Sequence, residues 1–409
     1  MQQKKIVWSV LTAALLAPVM AHATNGYFAH GYGMKAKGMG GAGIALSQDT
    51  LAAATNPAGM VNVGSRIDAG VDLFMPNRGA TIVGGPAAGS YSGNGKSNFL
   101  IPEFGYNRMM GTDMSLGVSV YGNGGMNTAY TVSPFGPGAG INLEQLFIAP
   151  TWAMKLNDTH SVGVAVNLVY QTFSATGLGA FAPMSGNAAA LSGTGTDSST
   201  GIGLRLGWQG QLTPNVSMGA TYQPKTKMGK FSKYAGLFAE QGGFDIPASY
   251  GIGIAVKATP ATTVVFDIEK IDYGTIPSVA NPLTLPPAAP LGAPNGPGFG
   301  WQNMTVYKLG VSHAWSDSLT VRAGYNHNNA QIPTTQTLFN VLAPGVVQDH
   351  LTLGATWALS PDNELTVAYM HAFKNTVNGA AGSAALLGGS NANINMYQDS
   401  LGIAYSWKL

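Results

Sequence analysis

From Ser65 to the last residue the chain repeats one unit, about ten residues in which apolar side chains alternate with small or polar ones, followed by a connection. The clearest rows are Met114, Leu116, Val118, Val120; Val162, Val164, Val166, Leu168, Tyr170; Ile202, Leu204, Leu206, Trp208; Leu319, Val321, Ala323, Tyr325; and Leu365, Val367, Tyr369. A period of two puts each row on one face of a β-strand. Ser, Gly, Asn, Thr and Gln occupy the intervening positions, with an occasional Arg or Lys, and form the other face.

The connections alternate between two classes. Tight polar turns fall at Gly111-Thr112-Asp113, Asn157-Asp158, Thr213-Pro214-Asn215, Thr259-Pro260, Ser316-Asp317-Ser318 and Ser360-Pro361-Asp362-Asn363. Between them run long segments rich in Gly, Pro, Ala and Asn: 76–97, 122–144, 174–198, 225–245, 274–302, 329–347 and 374–396. Short turns at one end and long loops at the other are the outer-membrane barrel arrangement, and a compact soluble domain does not sort its connections this way. Counting segments predicts about fourteen strands, an even number with both ends in the periplasm. The last of them, Leu401, Ile403, Tyr405, Trp407 and Leu409, alternates to the final residue with aromatics near its end, as a closing strand at the inner aromatic girdle should.

Composition supports a lipid-exposed wall. Only 9% of the chain is Asp, Glu, Lys or Arg, against roughly 25% in soluble domains. No window reaches the roughly 18 uninterrupted apolar residues of a spanning helix, apart from a weaker stretch at the N-terminus. That stretch has Lys4 and Lys5, an apolar run from Ile6 to Met20, then Ala21-His22-Ala23: a secretory signal over residues 1–23, cleaved to leave Thr24 first. Cysteine is absent, so strand closure must hold the fold. A net charge of +2 gives no reason to expect a nucleic-acid partner. The fold class is therefore all-β, a 14-stranded antiparallel transmembrane β-barrel over residues 65–409, placed in the bacterial outer membrane among lipid and lipopolysaccharide, and expected to be a monomer.

Residues 24–64 break the pattern. They are rich in Gly and Ala, carry Lys35 and Lys37, and are too few and too small to bury a core of their own, so they are expected to plug the lumen as a hatch. Gly38-Met39-Gly40-Gly41-Ala42-Gly43 matches the dinucleotide fingerprint, but no βαβ unit surrounds it, and close packing of small residues explains it better.

Asn56-Pro57-Ala58, within Ala52 to Met60, carries a specific likeness. With the barrel that follows, it resembles the FadL family, outer-membrane channels whose members begin with a hatch of short helices bearing Asn-Pro-Ala. The resemblance implies passive uptake of hydrophobic molecules, long-chain fatty acids or aromatic hydrocarbons, without a cofactor or metal. It also implies capture by extracellular loops, then lateral diffusion through a gap in the wall. In such proteins the motif is a latch that bonds to an inward kink in the third strand. Here that strand is expected over Asp113 to Tyr121, followed by Gly122-Asn123-Gly124-Gly125, and Gly122 is the candidate kink.

Two further groups are candidates for substrate contact. Phe231, Tyr234, Leu237 and Phe238 are spaced as one face of a short helix, and Leu178, Phe181 and Met184 lie in the neighbouring loop. They either close the top of the channel on one another or form an exposed capture site. Arg205, Lys308 and Arg322 face inward by phase and could bind a carboxylate; alternatively, inward Asp68, Asp72, Glu103, Asp267 and Glu269 pair with them and with the hatch lysines. An enzyme is not expected, because His313, His350 and His371 stand on strands without a local serine signature. A general diffusion porin or a surface adhesin or receptor is the competing class, the first requiring an open charged lumen and the second using only the long loops.

Overall fold

The computed structural model describes residues 25–409, so the expected signal segment and Thr24 lie outside the described residues. Fourteen antiparallel strands close the wall. They are β1 (Arg66–Val83), β2 (Phe99–Met109), β3 (Met114–Ala129), β4 (Gly140–Lys155), β5 (His160–Thr176), β6 (Asp197–Thr213) and β7 (Val216–Gln223), then β8 (Ser249–Thr259), β9 (Thr262–Ile271), β10 (Met304–Ala314), β11 (Leu319–Asn328), β12 (Asp349–Ala358), β13 (Asn363–Val377) and β14 (Asn391–Lys408). Each pairs with its sequence neighbour, and β14 closes on β1 from Arg66↔Lys408 to Val83↔Asn391. Closure satisfies the backbone groups that lipid cannot, which is what lets a sequence with no long apolar run cross a membrane. A short ribbon, Gly89–Ser92, lies against the upper part of β1.

The alternation decides the two faces. On β5, Val162, Val164, Val166, Leu168 and Tyr170 point outward, while Ser161, Gly163, Ala165, Asn167, Gln171 and Phe173 are buried inside. Exposed tyrosines, among them Tyr170, Tyr222, Tyr250, Tyr307, Tyr325 and Tyr369, stand toward the long-loop end, and Trp315, Trp357 and Trp407 toward the short-turn end. These are the two aromatic girdles of an outer-membrane barrel.

Several strands rise higher than the sequence pattern indicates. The expected long segments 76–97, 122–144, 174–198 and 374–396 all lose residues to the wall, because β1, β3, β4, β5, β13 and β14 continue through Gly, Ala, Asn and Ser. Such residues have weak strand preference alone. Each nevertheless has a ladder partner here; Asn391, Ala392 and Asn393, for instance, face Val83, Ile82 and Thr81.

Residues 25–64 lie almost wholly buried inside the barrel. They form one short helix, α1 (Met34–Lys37), and two 3-10 turns, Thr50–Ala54 and Pro57–Asn62. The wall is hollowed to receive them by inward glycines. A Cβ at Gly105 would overlap Thr50, one at Gly163 would meet Pro57 and Ala58, one at Gly219 would strike the Ile44 carbonyl, and one at Gly402 would strike Met34. The former fingerprint glycines are packed the same way: Gly38 against Gly354, and Gly40 against Tyr325.

Candidate functional site: the hatch, the third-strand bulge and the apolar lid

Asn56, Pro57 and Ala58 form a cap. The Asn56 Oδ1 accepts from Ala58 N at 3.1 Å and starts the 3-10 turn that Pro57 opens. Its Nδ2 donates to the carbonyls of Ile44 (2.8 Å) and Trp208 (2.9 Å), and Ser161 Oγ donates to the Ala58 carbonyl at 3.1 Å. The motif is thus pinned to β5 and β6. The expected partner, a kink in the third strand, is not the one it meets. Replacing Asn56 with Ala should loosen this turn by about 2 kcal/mol, through loss of the cap and of the bond to the wall. Amide exchange at Ala58 to Asn62 should accelerate by about tenfold or more while the strand amides stay protected; unchanged exchange would contradict the assignment.

The third strand does bend, and another part of the hatch holds it. β3 runs on through the glycines to Ala129, and its register on β4 slips between Gly122↔Leu146 and Gly124↔Gln145, which leaves Asn123 as the extra residue of a bulge. Gly122 therefore sits at the edge of the bulge, inside the strand and not at its end. Inward of the bulge, Ala29 N donates to the Asn123 carbonyl at 3.0 Å and Gly125 N donates to the Tyr27 carbonyl at 2.8 Å. Tyr32 Oη donates to Asn123 Oδ1 at 2.9 Å, and Asn123 Nδ2 to Gln145 at 3.1 Å. From above, Tyr273 clamps the same segment: its hydroxyl donates to the Asn25 carbonyl at 2.5 Å and accepts from Tyr27 N and Phe28 N. Tyr27, Tyr273, Phe244 and Trp301 pack ring to ring around it.

The bend interrupts the wall. β2 pairs with β3 only from Phe104↔Val120 to Met109↔Ser115, while β2 pairs with β1 up to Phe99↔Phe74. Residues 99–103 thus have a ladder partner on one side only, while on β3 residues 123–125 turn to the hatch and Ala129, higher up, bonds Gly93 and Gly95. Pro102, which has no N–H to donate, lies in this one-sided stretch, where a strand edge tolerates it.

Above the hatch, the lumen changes character with height. A polar belt comes first: Asn167 donates to Gln223 at 3.0 Å, Arg205 donates to Gln223 at 2.9 Å, and Gln145 and Gln171 bond at 3.1 Å. Arg205 Nε, Asn167 Oδ1, Gln223 Nε2 and Tyr121 Oη are buried there without a hydrogen-bond partner. Of the three inward bases, Lys308 pairs with Glu269 at 2.8 Å. Arg322 bonds Gln48 and Thr356, and Arg205 bonds Gln223, with no carboxylate within 4.0 Å of either among the described residues. The hatch lysines pair with Glu364 (Lys35, 2.5 Å) and Asp72 (Lys37, 2.8 Å). Asp68 accepts from Thr50 and Arg66, Glu103 from Gly33 N, and Asp267 from Gly43 N and Ile44 N. The wall carboxylates therefore hold the hatch backbone as well as its lysines. In the hatch itself, burial and then the nearby Asp68 carboxylate push the Asp49 carboxyl above the ordinary carboxylate range.

Higher still lies an apolar lid. Phe173 on β5 meets Phe238 (4.5 Å between ring centroids), Tyr234 (4.7 Å) and Phe231 (5.7 Å), and Phe181 meets Phe339 (4.9 Å). Leu178, Phe181, Phe231, Tyr234 and Phe238 are buried, with Met184 and Leu237 partly so. Of the two arrangements open to these side chains, they adopt closure of the top. The expected helix is absent: residues 231–238 fold as successive turns around a 3-10 element at Ser232–Tyr234. Between the lid loops lies a crevice of about 440 Å³, counted to its open mouth and lined by Ile141, Phe173, Leu178, Phe181, Phe238 and Phe339 among others. The strand histidines are occupied otherwise: His313 with Thr262, His371 with Asp399, and His350 buried beside the Asn326 carbonyl.

A closed barrel with its plug built in, an interrupted wall beside the plug and an apolar lid define an outer-membrane transport barrel. The chain belongs to the outer membrane protein transport protein family (OMPP1/FadL/TodX), whose family model matches residues 15–408. Its fold is that of the P. putida toluene transporter TodX (17% identity, TM-score 0.69, 93% of this chain and 99% of that one). It is also that of the Ralstonia pickettii toluene transporter TbuX (18%, 0.65, 93% and 99%) and of a Pseudomonas aeruginosa FadL homologue (15%, 0.70, 96% and 100%). No curated protein sequence matches the chain.

Proposed function

We propose that this chain is a passive, monomeric channel that admits hydrophobic molecules, aromatic hydrocarbons or fatty acids, and releases them sideways into the outer membrane between β2 and β3. The observation that carries the reading is the one-sided pairing of residues 99–103 beside the Asn123 bulge. The lumen supports it by gradient. A hydrocarbon gains about 0.8 kcal/mol per CH₂ buried among the apolar side chains that line the crevice. Straight below, it would have to cover the unpartnered polar atoms of the belt, which costs about 1–3 kcal/mol for each group so buried. The hatch then blocks the axis with its ion pairs. The sideways path passes Phe99, Ile101 and Met126, buried apolar side chains of the two strands on either side of the interruption.

The hatch, residues 24–64, serves in this reading as a fixed plug whose Tyr27–Ala29 segment holds the bulge open, with Asn56-Pro57-Ala58 as its anchor on β5 and β6, two and three strands further round the wall. Arg205, whose Nε is buried without a hydrogen-bond partner, is the candidate for a substrate carboxylate; Lys308 is engaged by Glu269, and Arg322 by Gln48 and Thr356. Uptake of labelled long-chain fatty acid and of toluene should be compared in cells with and without the gene. At least one should enter faster with it. That gain should survive dissipation of the proton gradient when intracellular consumption is held constant. No gene-dependent uptake of either, or collapse of uptake with the gradient, would overturn the reading.

A further inference from the structure

Three strands of the wall outrun the membrane on one side of the barrel. β1, β13 and β14 have 18, 15 and 18 residues, where about 9–11 suffice to cross. The outward rows of β1 and β14 record the change of surroundings. On β1 the row Ile67, Ala69, Val71, Leu73, Met75 gives way to Asn77, Gly79 and Thr81, and on β14 Ile403 and Leu401 give way to Asp399, Tyr397, Asn395 and Asn393. The two switches meet in register, with Met75 opposite Asp399 and Asn77 opposite Tyr397. Leu73, four residues before Asn77, pairs through Leu401 to the girdle residue Tyr369. Thr81 stands about 20 Å beyond Met75 along the strand, roughly 15 Å higher once strand tilt is allowed for. The polar stretch therefore begins in the headgroup layer, about 5–8 Å deep, and ends above it.

Across this stretch runs a shallow groove of about 680 Å³, counted to its open face. Gly79 is its floor: a Cβ there would lie 3.3 Å from the Asn395 side chain and from the Tyr91 carbonyl. Asn77 and Asn395 flank the floor, and Ser90 and Ser92 of the short ribbon, paired with Thr81 and Gly79, form one wall. The Thr81 and Ser90 hydroxyls bond each other at 3.2 Å, whereas the side-chain amides of Asn77 and Asn395 bond no other described residue. Arg78 turns inward, so Lys374 at the other edge is the one charged side chain facing out, and no carboxylate lines the groove.

We infer that this groove binds the core sugars of lipopolysaccharide. A free side-chain amide offers donors and an acceptor in one plane, the set that a pair of neighbouring sugar hydroxyls completes, and serine and threonine hydroxyls serve in either role. The lysine adds a point charge for the acid groups of the innermost sugars. Continuity fixes the source of the sugar. The groove is the upward extension of the lipid-facing wall, so the sugars that rise from the outer leaflet stand against it. A sugar chain held there would also flank the interruption in the wall, since the part of β1 just below pairs with residues 99–103 of β2.

The test titrates the full barrel in detergent with lipopolysaccharide carrying a complete core and with the same lipopolysaccharide cut back to lipid A, and bound lipid is read by native mass spectrometry. The wild type should prefer the core-bearing form by about tenfold or more, the yield of one or two net hydrogen bonds. The preference should largely persist in about 1 M salt, where the Debye length is about 3 Å, and core oligosaccharide freed from its lipid should compete for the site. Asn77→Ala/Asn395→Ala/Lys374→Ala should abolish it. Lys225→Ala/Lys230→Ala, which removes exposed lysines from another side of the barrel, should leave it intact. Heat-modifiable migration in gels confirms that each variant is a closed barrel. Equal binding of the two forms by the wild type, an undiminished preference in the triple variant, or loss of the preference in salt would overturn the proposal.

Discussion

Gly124→Val is expected to reduce uptake of hydrophobic substrate by about tenfold or more while leaving a folded barrel in the membrane. A Cβ at this position would overlap the Tyr27 carbonyl and approach Phe28 Cα at 3.0 Å, both backbone, so neither can swing aside. The turn over residues 25–29 must move away, and with it go the two bonds that draw β3 inward, Ala29 N to the Asn123 carbonyl and Gly125 N to the Tyr27 carbonyl. Each is worth about 1 kcal/mol. Without them, the bent part of β3 and the one-sided part of β2 face each other with unpaired backbone groups at membrane depth, where pairing is strongly favoured. The wall should zip shut. A cysteine pair on facing positions of β2 and β3 would report this as faster crosslinking than in the wild type. Wild-type uptake with the turn displaced would show that the bulge is not the exit.

The wall was legible in the sequence because its signal is local: a period of two, broken at turns, survives whatever the lumen contains. The plug was legible only as a misfit. Its attachments join residues far apart, Asn25 with Tyr273 and Tyr27 with Gly125, and no spacing rule links them. Asn56-Pro57 showed itself as a turn because capping is a local property, yet its partner on the wall, Trp208, could not be read. The sequence did contain one unused clue. Gly105, Gly163, Gly219 and Gly402 all fall on the inward phase of their strands, and a run of glycines on the lumen face marks where a plug must press close. The loop aromatics were ambiguous for a different reason. Phe181 is buried against Phe135 and Phe339, and Phe238 against Phe173 and Phe244, most of them from other segments, and an apolar side chain alone does not say whether it has company.

The hatch should be most sensitive at Lys37. Its ammonium lies 2.8 Å from Asp72, and both side chains are buried, at 6% and 0% exposure. Lys37→Met keeps the stem and removes the charge, which leaves Asp72 ionised in the wall with Ser400 Oγ as a remaining donor. Stranding one member of a buried pair costs about 3–5 kcal/mol, much more than the pair itself contributes over an apolar replacement. The hatch as a whole has other anchors, among them Lys35 on Glu364 and the Asp267 carboxylate on Gly43 and Ile44. The expected outcome is therefore local release of the plug around α1, while these anchors hold the rest and the barrel, held by strand pairing, stays closed. Protease should reach residues 34–41 in the variant at least tenfold faster, and ion conductance through planar bilayers should rise as this side of the axis opens. Adding Asp72→Leu to Lys37→Met should return both readings most of the way, since it removes the stranded charge and restores neither ion nor bond. A Lys37→Met barrel as protease-resistant and as tight to ions as the wild type would mean that this pair does not hold the plug.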